Sequence, residues 1–470
     1  MSLKYKGLRD QPTMWQKLKR ALCNFVPRKY DDEKPDKETT SALNIVCFLV
    51  FGTLSFFNQE MLLTAAEDIL SGNKVPTAAV LVTFVTPLMA VKIFFPWFIQ
   101  KIPYWFKILV IMLFMMSGIL IIAYADDIRL KMFGIALNAM ATGASELVLL
   151  SLTAFYPQIC ISSYVAGTGI SSLVAPLYYT GVTTWNCVSP RTAILITAPW
   201  SILYLIFYAM LDKEPVHEAA ASLQNLNTRV SYEKIKESDG ENSDEDEVEH
   251  FSKDRAIKKK STSLGCNEKM NVSWKLVPFI VPLALSFFAE YLVNSSVVTT
   301  ISFPKSGIAP RDHYQYYSLA YRIGKFVGRS YLFLFSFLVD VSSLLKCRHT
   351  WIFALINLLQ LMLFLFESWY HFLPGLWLAI VLCSTVGLVS GLIVLHSPHS
   401  VASVLAPEEL EFGFGLLTVG NAVGGFIAGL VGLAVEPYLR KECVLHFASQ
   451  KEFCFTRQRN ATGWTSNLHC

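Results

Sequence analysis

The hydrophobic positions of this 470-residue chain fall into long blocks. A helix needs about 20 apolar residues to cross ~30 Å of hydrocarbon. Blocks of that length lie near 42–64, 77–99, 104–125, 130–152, 158–182 and 191–211, and again near 275–298, 315–338, 350–368, 373–396 and 412–435. The pattern predicts an all-α polytopic membrane protein with about eleven transmembrane helices, six before a polar interruption and five after it. The polar stretches then divide the chain into an N-terminal tail (1–41), a first transmembrane half (42–211), a linker (212–274), a second half (275–435) and a C-terminal tail (436–470).

A short repeat runs across this pattern. LSFFNQEMLL at 54–63 and LSFFAEYLVN at 285–294 begin 231 residues apart, one in span 1 and the other in span 7. That offset is the one expected if a six-span unit were duplicated. Spans 5 and 11 agree, since GTGISSLVAPLYYTG and GFGLLTVGNAVGGFIAGLVGL are both rich in the small residues that let helix backbones approach closely. Two pseudo-symmetric halves are therefore expected, with a substrate cavity between them near the midplane. Glu60 and Glu290 are expected in related places beside that cavity.

Composition sharpens the reading. Hydrophobic residues make up 53% of the chain and charged residues only 16%, against about 25% charged in soluble proteins. Of 76 charged residues, 40 lie in 1–41 and 212–274, so the spans are more apolar than the average suggests. No continuous basic face with interleaved aromatics exists, which excludes a nucleic-acid partner. The first 41 residues carry ten Lys or Arg and no apolar core, so the first span is expected to act as an uncleaved anchor with the N-terminus in the cytosol. In that orientation cytosolic segments with the adjoining span ends receive 25 Lys and Arg and lumenal ones 11, the bias expected of the cytosolic side. An odd span count places the C-terminal tail in the lumen, where Asn460 of Asn-Ala-Thr is a glycosylation candidate; a twelfth helix would reverse this.

The linker runs ESDGENSDEDEVEH into KDRAIKKK, too charged to bury a core, and reads as a disordered cytosolic segment. Within it Tyr232 and Ile235 form a candidate signal for endosomal sorting adaptors, and Ser238 and Ser243 lie among acids where phosphorylation would add charge. The ten cysteines show no CxxC pair or zinc-ligand spacing, so no metal or cofactor is expected and most of the cysteines read as packing residues. There is no nucleophile elbow and no phosphate-binding loop, and no enzyme is expected. His396 and His399 read as interfacial residues with satisfied hydrogen bonds rather than as pH sensors.

Charges inside the spans carry the candidate chemistry, because a charge at the bilayer centre costs about 2.5 to 3.5 kcal/mol on insertion scales and normally faces protein or water. Lys92 in span 2, Glu146 in span 4 and Glu290 with Asn294 in span 7 are such residues. Span 8 carries Arg322, Lys325 and Arg329 on one helical stripe, which calls for anionic partners. These are either Glu60, Glu146 and Glu290 or an anionic substrate, for which arginine offers forked donors. Arg322 and Lys325 are expected in the cavity, and Arg329 either there or in a structural or gating role. Asn58, Gln59 and Glu60 are further cavity candidates.

The same residues resemble the battenin family. The resemblance is carried by LTAAEDIL at 63–70, PTAAVLVTFVTPLMAVK at 76–92, SELVLLSLTAFYP at 145–157, GTG at 167–169, VPLALSFFAEYLVN at 281–294 and GRS at 328–330. It implies a lysosomal or late-endosomal multi-pass protein with a major-facilitator-like fold similar to equilibrative nucleoside transporters. It also implies a part in clearing glycerophosphodiesters, and links to lysosomal pH and basic amino-acid content. The matching positions are Lys92, Glu146, Ser151 to Pro157, Gly167, Thr168, Gly169, Glu290, Tyr291, Asn294 and Arg329. Gly167 to Gly169 are expected to pack or gate. The chain departs from the family at Ser55 and Phe56, where an asparagine pair is usual, and Arg322 is particular to it. The chain ends at Cys470 without a prenylation box, so no lipid anchor is expected there. The leading expectation is a secondary transporter of a small anionic or zwitterionic metabolite, with the lipid bilayer and sorting adaptors as further partners. The alternative is a non-transporting scaffold for endolysosomal trafficking.

Overall fold

The computed structural model describes residues 42–69, 78–100, 102–216, 264–303, 306, 310–336, 349–446 and 464–465. The first half comprises α1 (Ala42–Thr64), α2 (Ala78–Phe94), α3 (Tyr104–Tyr124), α4 (Ile128–Leu152), α5 (Gln158–Thr180) and the irregular α6 (Pro190–Met210). The second comprises α7 (Cys266–Leu292), α8 (Pro310–Ser336), α9 (Thr350–Tyr370), α10 (Leu376–Ala402), and α11 (Pro407–Leu417) continuing into α12 (Val419–His446). The protein is an all-α polytopic membrane protein, and ten of its helical stretches are long and apolar enough to cross a bilayer. The α8 helix is the charged exception, yet it lies inside the bundle, packed along α5 and α10 with Tyr317, Tyr321 and Leu332 buried. Its cationic stripe therefore faces protein.

Within the first half α1 packs chiefly on α5 and α2 on α4; within the second α7 packs on α12 and α8 on α10. Contacts between the halves run through α5 with α8 and through α2 with α12. The tightest crossings are made by glycine. A methyl group at Gly52 would fall on the carbonyl oxygen of Tyr164, and one at Gly167 on that of Leu49; Gly324 and Gly387 stand in the same relation to Ser384 and Tyr321. These spans meet backbone to backbone, so dispersion contact replaces the hydrophobic drive that lipid does not supply.

Three boundaries differ from those expected. Residues 266–274, expected in the linker, are the first turns of α7. Glu268 turns back to accept from the Gly265 amide at 2.8 Å, and the buried Lys269 donates to the Trp97 carbonyl at 2.8 Å, so neither charge is left unsatisfied. The last span begins at Pro407, where the ring occupies the first helical position and Glu409 accepts from the Ala406 amide at 3.3 Å. It also ends later than expected, running through Pro437 to His446 with Leu439 and Cys443 buried one turn apart. Cys187 and Cys443 are disulfide-bonded rather than simple packing residues, whereas Cys47, Cys160 and Cys383 are buried thiols. Successive spans alternate in direction, which puts Cys187 after α5 and Cys443 at the end of α12 on one face. Tyr232, Ile235, Ser238, Ser243 and Asn460 lie outside the described residues.

Candidate functional site

Between the halves lies a cavity with two adjoining lobes. Phe56, Glu146, Phe287, Arg329 and Asn421 line both. The first lobe adds apolar side chains from α4, α5, α7 and α10 and the polar groups of Tyr164, Thr168, Ser397 and Thr418. The second adds Gln59, Glu60, Lys92, Tyr291 and Lys325. The spans expected to build the cavity (1, 2, 4, 7 and 8) all contribute, and α5, α10 and the last span join them.

Lys92 and Glu146 form an ion pair within the first half, since α2 and α4 carry them and a methyl at Gly143 would already come within 3.1 Å of the Leu88 backbone. Asn421, on α12, completes the group. The Lys92 ammonium donates to its carbonyl oxygen at 2.7 Å, and its amide nitrogen donates to the second Glu146 oxygen at 2.6 Å. Nothing in the charge pattern points to Asn421. Its signal in the sequence is that of a lone amide in the glycine-rich run VGNAVGG.

The α8 stripe is shared among different partners. Arg322 donates at 2.8 Å to Glu60 on α1 and at 2.8 Å to the Ser172 carbonyl on α5, so this pair crosses between the halves. Lys325 lies 3.0 Å from Glu290, and Tyr321 donates to the same carboxylate oxygen and accepts from Lys325 at 3.0 Å. This cluster is internal to the second half, and Glu290 is fully buried there rather than lining a lobe. Arg329 has no carboxylate partner among the described residues: it donates to the Thr168 hydroxyl at 2.8 Å, stands over the Phe56 ring at 5.9 Å, and its buried Nε is left without an acceptor. The sequence favours Arg322 and Lys325 as cavity cations; in the structure both are ion-paired, and it is Arg329 that has no ion pair among the described residues.

The remaining candidates are dispersed. Asn58 is buried against Met115 of α3, its amide 3.7 Å from the thioether sulfur. The buried Gln59 carbonyl has no hydrogen-bond partner among the described residues. Asn294 lies in the π turn Val293–Val297 that follows α7 and lines neither lobe. Gly167 packs on α1, a methyl group at Gly169 would come within 3.1 Å of the Arg329 Cβ, and Thr168 between them accepts from the guanidinium, so the GTG segment at once seats the helix and receives the cation. His396 bonds Tyr331 at 2.6 Å and His399 bonds Ser162 at 2.9 Å.

The family profile of the CLN3 protein matches residues 46–442. Battenin of Canis lupus familiaris is 26% identical over 423 residues, covering 84% of this chain and 91% of that protein. Protein btn-1 of Neurospora crassa is 25% identical over 419 residues (84% and 88% covered), and protein BTN1 of Saccharomyces cerevisiae is 23% identical over 424 (87% and 97%). The match takes in both halves and the cavity between them, and the chain therefore belongs to the CLN3 protein family.

Proposed function

We propose that the chain is a secondary transporter of the lysosomal or late-endosomal membrane that moves a small anionic or zwitterionic metabolite by alternating access. The observation that carries the reading is the charge balance around the cavity. Four cations (Lys92, Arg322, Lys325, Arg329) face three carboxylates (Glu60, Glu146, Glu290), and the cation without a carboxylate lines both lobes. A guanidinium in apolar surroundings with a free N–H is strongly biased toward a bound anion, because desolvation raises the value of each charge-assisted bond. The packing of α5 on α8 and of α2 on α12 supports a rocking movement of two major-facilitator-like halves about a central cavity. Glycerophosphodiesters are the substrate class the family resemblance suggests, and export of such compounds would support lysosomal pH and amino-acid balance.

The test is uptake by the purified chain in proteoliposomes, offered a panel of glycerophosphodiesters, organic monocarboxylates and basic amino acids. Saturable uptake of an anionic or zwitterionic member is expected, and it should survive deletion of 217–263. Uptake of none, with loss of cellular function on deleting that linker, would favour the scaffold reading.

A further inference from the structure

The Lys92, Glu146 and Asn421 side chains close a ring in which each member bonds the other two. Two of them move as one body, because α2 and α4 are packed through Gly143 against the Leu88 backbone. The third belongs to another body. Flanking Asn421 on α12, a methyl group at Gly420 or Gly424 would fall on the carbonyl oxygen of Ile280 or Ala284, so α12 is fastened to α7 without room for a side chain between them. Any parting of the halves at this level must therefore draw Asn421 away from an ion pair that stays behind. An amide suits such a junction, because it presents one acceptor and one donor side by side, matched to an ammonium and a carboxylate, and adds no charge of its own.

We infer that Asn421 is a positioning residue that latches the two halves in this conformation through the Lys92–Glu146 pair, and that both of its bonds release when the cavity opens between α2 and α12. The latch sets which conformation the empty cavity prefers. It is a device of alternating access and in that sense rests on the transport reading, but its consequences are visible without any substrate.

The experiment is hydrogen–deuterium exchange on the purified full chain, corrected for the intrinsic pH dependence of exchange, with Asn421→Leu and Asn421→Asp beside the parent. The leucine cannot bond either partner, and amides of α2, α4 and α12 around the cavity should exchange roughly tenfold faster or more, since two bonds to charged groups are lost. The aspartate keeps an acceptor for Lys92 but at neutral pH sets a second carboxylate against Glu146, and it too should exchange faster. On acidification it becomes a neutral donor and acceptor like the amide, and exchange should return toward the parent; leucine should show no such return. The other ionisable groups around this position are Glu60 on α1, Tyr164 on α5, Tyr291 on α7, and Lys325 and Arg329 on α8, present in all three proteins. Their titration is therefore read in the leucine variant and subtracted. Should Asn421→Leu fail to fold, the acid recovery of Asn421→Asp against the parent carries the test alone. Parent-like exchange in both variants, or an aspartate variant that does not recover, overturns the latch. Exchange that behaves as expected while no probe is taken up leaves the latch standing and removes the transport reading.

Discussion

Phe56 and Phe287 take the same place in the two LSFF runs and line the same two cavity lobes, one from each half of the protein. The repeat thus delivers an aromatic ring from each side to the region where the lobes meet. It also sets a register. Counting on from the rings, Glu60 corresponds to Tyr291, and Glu290 to Gln59, so the two carboxylates are one position out of step. One position is about 100° around a helix. Glu60 and Tyr291 accordingly share the second lobe, while Glu290 is turned into α8, where it meets Lys325 and Tyr321.

Arg329 should anchor the anionic group of the transported molecule. Arg329→Gln removes the charge and the fork while leaving a donor for Thr168. It should lower the apparent affinity for an anionic substrate by roughly 10- to 100-fold, the range of a charge-assisted hydrogen bond. Arg329→Lys keeps the charge but not the paired geometry and should fall between. Concentration-dependent uptake in proteoliposomes measures both, and equal half-saturation in Arg329→Gln and the parent would remove Arg329 from the binding site.

Glu290 should matter for stability through Lys325. Removing one member of a buried pair leaves an uncompensated charge and costs about 3–5 kcal/mol, whereas removing both is far milder. Glu290→Gln should thus unfold well below the parent temperature in detergent, and adding Lys325→Met should restore more than half of the loss. Strictly additive losses in this double-mutant cycle would show that the two side chains are not energetically coupled.

The fold is largely legible in the sequence because length and apolarity settle which blocks form spans; even α8 stands out, its charges being spaced on one stripe and flanked by enough aromatic and aliphatic residues. Partner choice is not legible. Arg322, Lys325 and Arg329 are alike on a helical wheel, and only the positions of Glu60 and Glu290 on neighbouring helices decide which cation is left over. The Lys92–Glu146 pair is visible as two isolated charges, but the amide that joins them is neutral and therefore silent in any charge count. Cys187 and Cys443 escape a reading by spacing because loop closure in space, not distance along the sequence, brings cysteines to their partners.

The glycine crossings predict a sharp contrast between positions. Gly52→Ala and Gly387→Ala each place a methyl group on a backbone oxygen of the facing helix, where nothing flexible can yield. Overpacking of this kind costs about 1–3 kcal/mol or more, and both variants should show reduced yield and lower melting temperature. Gly375→Ala is the control: its φ of 175° is extended and no atom lies within 4 Å of the added carbon. Melting curves of the purified proteins decide the matter, and a Gly52→Ala protein as stable as Gly375→Ala would mean that α1 and α5 do not meet as closely as described.

The disulfides orient the molecule in its membrane. Disulfides persist in oxidising compartments and are rare where glutathione keeps thiols reduced, so the face that carries both Cys187 and Cys443 should be the lumenal one. The chain before α1 then lies in the cytosol, in keeping with the excess of Lys and Arg on that side. Intact organelles can be treated with one alkylating label, then denatured, reduced and treated with a second of different mass. Cys187 and Cys443 should carry only the second label, and Cys187→Ser and Cys443→Ser should each release one further thiol to the first label under denaturing, non-reducing conditions. First-label modification of Cys187 or Cys443 in the unreduced protein would place that face in the cytosol and invert the whole assignment of sides.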